Sequence, residues 1–596
     1  MVVHTERYPD DRRRAIESRL NRTPTRQLVH RDGPARLYFC AAVISGEEAR
    51  RLLAVSAAYA ALTFVMAYPL SATPGTAVVV DAPDTHVYIW TLAWDVHAFL
   101  NQPLRMFDAN VYHPYTHTLA FSENLIGSAF LAAPFIWLTG NLVLGMNMAA
   151  LITCVLCGIG GYVLARALHL RPGAAFLCGV VYAFAPPRFF RLGQLHMTAV
   201  QWIPFTLAFL HIYFERGRRS WLLLAVACFT LQVLSSGHGA AFTAVASALL
   251  VAWRVGFGQP IAVRQWLRDF GVAGAYLLAP SVLMLMPYRL VRGQGGLRYP
   301  YDPDALPNPE SFLASPTRLH VYLQSQWPDT ASINDTAYAF LFPGILVLVM
   351  ALVALALWRP ASRDRWRNDA TGFYAFLGMV STLMFLPPPL GLWRFVYWLP
   401  GFNFIRMPPR FVTVVVLCLG VLLAAVVDRL TGALSPRARA LTVGAVAVAL
   451  LAEYVSYPFP AVPYSVNIPA VDRWLDTQPK PFTIAEVPAP SPGNLGELER
   501  HQTRSMLHAT AHWQRTIHGY SSLRRPLHDR LYLELPGFPD ATSVASLREV
   551  GVTYVIVHTE NYGDRWRAVE QQIERTGAFK LEHVEGSGRA YSLLPP

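Results

Sequence analysis

The sequence predicts a polytopic α-helical membrane protein with a C-terminal water-soluble α/β domain, and three observations lead there. Its 596 residues are 53% hydrophobic and only 15% charged, with a mean hydropathy of +0.30. The apolar residues gather into segments nearly free of charge at 52–70, 142–165, 172–187, 198–214, 220–236, 240–253, 270–288, 338–357, 372–387, 411–427 and 440–457. Several approach the roughly 20 residues that cross a bilayer as a helix, and the shorter ones need flanking residues to complete the crossing. From Pro458 onward the long apolar runs stop and short strand and helix patterns replace them.

Residues 1–51 are polar and carry eleven arginines, including Arg12, Arg13 and Arg14 in a row and the pair Arg50 and Arg51. With no compact apolar core before residue 37, this region reads as a solvated, partly disordered cytoplasmic tail rather than a cleavable signal. The first span, 52–70, then leads outward into an acidic loop at 71–141. Within it, 125–139 is apolar but short and contains Pro134, so it reads as a partly inserted outer-face helix.

The second span ends inside at Arg166 and Arg171. Each later inward loop is basic: Arg216, Arg218 and Arg219, then Arg254, Arg264 and Arg268, then Arg359, Arg363, Arg365 and Arg367, then Arg429, Arg437 and Arg439. This positive-inside pattern gives about 11 spans over 52–457 with a cytoplasmic N-terminus, an outer loop at 289–337 and an extracytoplasmic domain at 458–596. In that domain PFTIAEVPAP, GVTYVIVHTEN and GRAYSLL read as strands, and ATSVASLREV and DRWRAVEQQIERTG as helices.

The net charge of +12 is almost all arginine, since Lys480 and Lys580 are the only lysines. These cations lie between spans rather than in a continuous patch interleaved with aromatics, so topology accounts for them and nucleic-acid binding is not expected. Five of the six cysteines fall in apolar segments, Cys40 being the exception, so the Cys154-x-x-Cys157 pair reads as small residues in a membrane helix.

The chemistry concentrates in the stretch Val80–Leu125, which gathers Asp81, Asp84, Asp95, Asp108 and Glu123 with His86, His97, His113 and His117, against one cation, Arg105. Trp90 and Trp94 share a helical face, so 86–100 reads as a helix on the membrane surface, with Asp95 a surface acid. Acids held at the lipid boundary can deprotonate an acceptor hydroxyl or hold a divalent cation. Four arginines, Arg188, Arg191, Arg406 and Arg410, sit in outer loops against the charge bias, and guanidinium forks suit phosphate. His196 and Gln201 are candidates to line the donor pocket, and His238, between two glycines, to contact a sugar. His113 and His117 have the spacing of one helical face, but no third ligand stands at a convincing spacing, so no metal set is assigned. The stretch HATAHWQRTIHGYSS mixes aromatic and polar groups that either stack on sugars or pack against the domain core.

The order of N-terminal tail, first span, acidic loop, SENLIGSAFLAAPFIWLTGN, AFAPPRFFRLGQLHMTAVQWIPF and the LPGFNFIRMPPRF hairpin resembles bacterial integral-membrane glycosyltransferases of the C type (GT-C), in the protein mannosyltransferase-like and RgtA-like group. The resemblance runs to about residue 457. It implies transfer, with inversion, of a sugar from a polyprenyl-phosphate donor to an extracytoplasmic glycan, lipid or protein, in a bacterial cytoplasmic membrane. It also implies a first-loop acid as base or metal partner. Asp84 matches that position, Asp81 is the near alternative and Glu123 resembles the second acid; the sequence reads Asp-Thr at 84–85 where many relatives carry Asp-Glu. Two other classes stay open. A flippase for lipid-linked saccharides would place ionisable residues along the spans, whereas here they cluster at the ends. A non-catalytic assembly factor of the same fold would bind through its outer domain.

Overall fold

The computed structural model describes residues 2–4, 26–32, 35–40, 46–257, 261–293, 300–358, 369–399, 402–521, 523 and 525–595. They fall into two compact units, Met1–Ala58 and Tyr59–Pro596. In the first, β1 (Val2–His4), β2 (Arg26–Asp32) and β3 (Ala35–Cys40) form an antiparallel sheet in the order β1–β3–β2. The tail is therefore partly strand. Two runs holding Leu28, Val29, Leu37, Tyr38 and Phe39 flank Gly33-Pro34, a hairpin signal that the arginine content overshadowed. The Arg12–Arg14 run and the 359–367 arginines lie outside the described residues.

The second unit holds a bundle of apolar helices. Among the described residues five helices are long and apolar enough to cross a membrane: Glu47–Met66, which begins in the first unit, and Leu142–Ala167, Leu195–Arg216, Gly237–Gly256 and Pro408–Leu430. The bent pair Val263–Leu277 and Val282–Arg292 makes a sixth if counted as one span. The chain is a multi-pass membrane protein on these helices. Ile126–Thr139 has 14 residues, about 21 Å at 1.5 Å per residue, against a hydrocarbon core of about 30 Å, and it stops at Gly140 in a left-handed cap. Leu142–Ala167 lies close against Pro172–Phe184 because Gly161 meets Gly179, where a Cβ would stand 2.9 Å from the opposing Cα. Cys154, Cys157 and Cys178 are buried in these two helices as small packing residues.

The helix expected on the membrane surface spans Pro83–Asn101, with proline in its first turn. It is buried continuously from Thr85 to Val96, packed between Ile126–Thr139, Leu142–Ala167 and the later helix Leu495–His508. Its tryptophans are thus core residues, and Asp95 is fully buried, with neither carboxylate oxygen hydrogen-bonded among the described residues, rather than a surface acid. Burial pushes that carboxyl well up from its ordinary range.

The C-terminal segment is tied into the same unit by backbone pairing. The short strand β4 (Ala77–Val78) pairs with β5 (Val462–Pro463). Beyond it lie β6 (Thr483–Val487), β7 (Arg515–Thr516), β8 (Tyr554–His558), β9 (Phe579–Glu585) and β10 (Gly588–Leu593), in the order β7–β6–β8–β10–β9. The first three of these neighbours run parallel and β10 runs antiparallel to both of its partners. Alternation along the buried strands sorts the core: Ala485, Val487, Val555 and Val557 face one cluster, Ile484 and Ile556 the other. The exposed edge at β7 is covered by the first loop, since Tyr112 and His113 donate to the His518 and Thr516 carbonyls and Thr516 donates to that of Asn110. Gly519 is needed there: a Cβ would come within 2.3 Å of the Tyr112 ring.

Candidate functional site

A cavity of about 1740 Å³ opens between the helices and the C-terminal sheet region. Its polar end carries Asp84, Glu123, His196, His238, Arg406, Arg410 and Tyr520. Its apolar side is built from Phe229 and Val233 on Arg219–Ser235, Ala240 and Ala244 on Gly237–Gly256, and Met284 and Leu285 on Val263–Gly293.

Glu123 reaches the start of the helix Gly237–Gly256, accepting from the Gly237 backbone N–H at 2.7 Å and, more weakly, from that of His238 at 3.4 Å. Gly237 permits this approach, because a Cβ there would lie 3.2 Å from the carboxylate. The His238 ring bridges onward, its Nδ1 on Glu123 and its Nε2 2.6 Å from an Arg410 guanidinium nitrogen. A carboxylate only accepts and a guanidinium only donates, so the ring is neutral, with its proton on Nδ1. Burial pushes the Glu123 carboxyl up, but the hydrogen bond from His238, the Gly237 N–H and the Arg410 charge outweigh it and hold the group below its ordinary range. Glu123 is therefore ionised; its Oε1 holds the His238 ring that meets Arg410, and its Oε2 takes the Gly237 N–H.

Asp84 occupies the first turn of Pro83–Asn101, with the Tyr520 hydroxyl donating to it at 3.5 Å. The cavity walls raise its carboxyl above the usual 3.8, a desolvation effect larger than the opposing pull of Arg410 and Tyr520. An acid with a raised affinity for protons and a free route to solvent is what a general base needs. His196 is buried against the Tyr88 and His238 rings at 5.1 and 5.8 Å, its Nδ1 without a hydrogen-bond partner.

The other sequence candidates stand elsewhere. Asp81 does not line the cavity; it binds His86 Nε2 at 2.8 Å, and His86 Nδ1 lies 3.0 Å from the Thr503 hydroxyl, so this acid ties the first loop to the C-terminal region. Arg188 is a core residue, 2% exposed, donating to the Ala183 carbonyl at 2.5 Å and the Thr198 carbonyl at 3.5 Å. Arg191 also misses the cavity lining and donates to Gln194 at 3.0 Å, with burial and the nearby Arg410 charge pushing it down to about 10. Gln201 is fully buried outside the lining. His113 and His117 lie in a non-helical loop, His117 at φ 55° and 3.2 Å from Asp108, so their spacing places no shared helical face.

Arg188→Met is expected to lower the melting temperature of the detergent-solubilised protein by several degrees, because two buried carbonyls lose their donor. Binding of a phosphate-bearing lipid by the surviving folded fraction should stay within about twofold, and a selective loss of that binding at unchanged stability would restore the phosphate role.

No family model and no curated protein sequence matches the chain. In three dimensions it is similar to the arabinofuranosyltransferase AftD from Mycobacteria, with TM-score 0.56 and 17% identity over 92% of this chain. The chain shares the fold of that arabinofuranosyltransferase. It spans 40% of the length of that arabinofuranosyltransferase. Weaker likenesses are to an Archaeoglobus fulgidus oligosaccharyltransferase, with TM-score 0.42 and 14% identity over 86% of this chain and 69% of that one. Another is to ArnT from Cupriavidus metallidurans, with TM-score 0.37 and 12% identity over 92% and 98%.

Within this fold the cavity also takes Tyr288, Arg289 and Arg292 from the end of Val263–Gly293, and Glu499, Gln502, His528 and Asp529 from the C-terminal region. The two arginines carried the same sequence signal as Arg406, a cation just outside an outward-facing apolar end. The C-terminal residues had no such signal, because only the chain's return over the helices brings them to the first loop. Of HATAHWQRTIHGYSS, Tyr520 and Ser521 reach the cavity, while His512 and His518 are buried in the sheet region.

Proposed function

We propose that the chain is a membrane glycosyltransferase that moves a sugar from a polyprenyl-phosphate donor to an acceptor outside a bacterial cytoplasmic membrane. The observation that carries this reading is one cavity joining an apolar helical wall to a polar end where an acid and arginines face each other. The apolar wall receives the lipid, and Arg406 and Arg410, with Arg289 and Arg292 nearby, receive the phosphate. Arg406 is exposed and makes no carboxylate ion pair among the described residues, so its charge is available to an anion.

Asp84 takes the proton of an acceptor hydroxyl as that oxygen bonds to the anomeric carbon on the face opposite the phosphate. The anomeric carbon–oxygen bond to phosphate breaks, and the lipid phosphate leaves with its charge held by the guanidiniums. Glu123 acts as a positioning residue, through His238, on Arg410. Among the described residues no cluster of three converging metal-ligating side chains lies at this cavity, and no step here runs through a metal. The eleven-span count, the outer placement of residues 458–596 and a role for Tyr520 beside the sugar belong to this same reading.

The test is transfer of radiolabelled sugar from a panel of synthetic polyprenyl-phosphate sugars by the full chain in proteoliposomes, with bacterial envelope extract as acceptor. Label in a product is the expected result. A folded protein that moves donor across the bilayer and forms no product would replace the enzyme with a flippase.

A further inference from the structure

We propose that Glu486, His508 and His558, with Asp472 beside them, form a binding site for one divalent metal ion of the zinc class inside the C-terminal sheet region. The inference is independent of the cavity chemistry.

Three elements converge on it. Glu486 is on β6, His558 ends the adjacent parallel strand β8, and His508 is the last residue of the helix Leu495–His508. His508 Nδ1 and His558 Nε2 lie 2.8 and 2.9 Å from the same Glu486 oxygen, Oε2, and the three donor atoms are all within 4.8 Å of one another. Two imidazole nitrogens and a carboxylate oxygen are a zinc donor set. His558 Nδ1 lies 3.9 Å from Glu560, the kind of outer carboxylate that orients a ligating imidazole.

A second observation points to a cation. Among the described residues, the fully buried Asp472 has no hydrogen-bond partner for either oxygen, and Glu486, 1% exposed, has none for Oε1. His512 Nε2, also without a partner, stands 3.9 Å from Asp472. Two carboxylates withdrawn from water with three oxygens unsatisfied are costly, and a divalent ion compensates both charges at once. The competing account is a histidine–glutamate–histidine hydrogen-bonded cluster that carries its charge on protons. The 2.8 and 2.9 Å separations suit that account directly, whereas an ion bonded at about 2.0–2.2 Å requires the donors to part by a few tenths of an ångström.

The helix closed by His508 also carries Leu498, Glu499 and Gln502 on the cavity wall and Thr503 on His86. A metal at its C-terminal end therefore fixes one wall of the cavity without touching it.

The experiment is elemental analysis of the full chain purified in detergent, followed by chelation and titration with Zn2+ and with Co2+. We expect about one equivalent of metal, a melting temperature lowered by chelator and restored by Zn2+, and visible absorption from bound Co2+. Glu486→Gln, close in shape, and the double change His508→Ala with His558→Ala should each hold less than about a tenth of an equivalent. Wild-type protein that stays folded yet takes up neither ion after chelation overturns the proposal. So does a folded Glu486→Gln protein that keeps its full equivalent, even if the double variant fails to fold.

Discussion

Asp84→Asn is expected to lower sugar transfer by about 10²–10⁴-fold, the usual contribution of a positioned base, with the melting temperature unchanged within a degree or two. The substitution is nearly isosteric, and Asp84 keeps contact with solvent, so little folding energy depends on its charge. The pH dependence gives a sharper test. Burial in the cavity raises the Asp84 carboxyl above 3.8, and a base acts only when deprotonated. Transfer should therefore fall as pH drops through that raised value and be steady above it, and the acid limb should vanish in Asp84→Asn. Equal activity of variant and wild type would remove Asp84 from the mechanism. Asp81 would be a poor replacement in this geometry, because it is bound to His86 away from the cavity.

Arg410→Ala is expected to cost about 10²–10³-fold in kcat/KM, comparable to removing one preorganised group that stabilises a leaving charge. Arg410→Lys should recover little of this. A lysine supplies the charge but not the planar fork that both meets His238 Nε2 and presents further N–H groups to phosphate. Glu123→Gln provides the matching control on the positioning chain. An amide in place of the carboxylate weakens the pull on His238 Nδ1 and frees the ring to change tautomer, so kcat/KM should fall while Arg410 itself remains. Steady-state kinetics with one donor, on all three variants at matched folded protein, decides the matter. An Arg410→Lys enzyme as fast as wild type would show that only the charge counts.

Legibility in the sequence differed from residue to residue for physical reasons. Asp84, Glu123, Arg406 and Arg410 stood out because each breaks a local rule, an acid at a lipid boundary or a cation against the charge bias. Arg188 broke the same rule and proved to be a core donor to Ala183 and Thr198. In the irregular segment around 185–200, no periodicity tells which side chains turn inward. Trp90 and Trp94 suggested an interfacial face, but aromatic bulk serves a core equally well, and only the packing of Ile126–Thr139, Leu142–Ala167 and Leu495–His508 around that helix decided it.

The sequence by itself determined the multi-pass helical class, the positions of the apolar helices and β6, β8 and β10 of the C-terminal sheet, because hydropathy and periodicity are local properties of the chain; β7, β9 and the helix Leu495–His508 escaped that reading. Tertiary structure decided which charges meet. Glu123, His238 and Arg410 are joined across separations of 115 and 172 residues, and Glu486 and His558 across 72. Distances of that kind are set by how helices and strands pack against one another, and no local pattern encodes them.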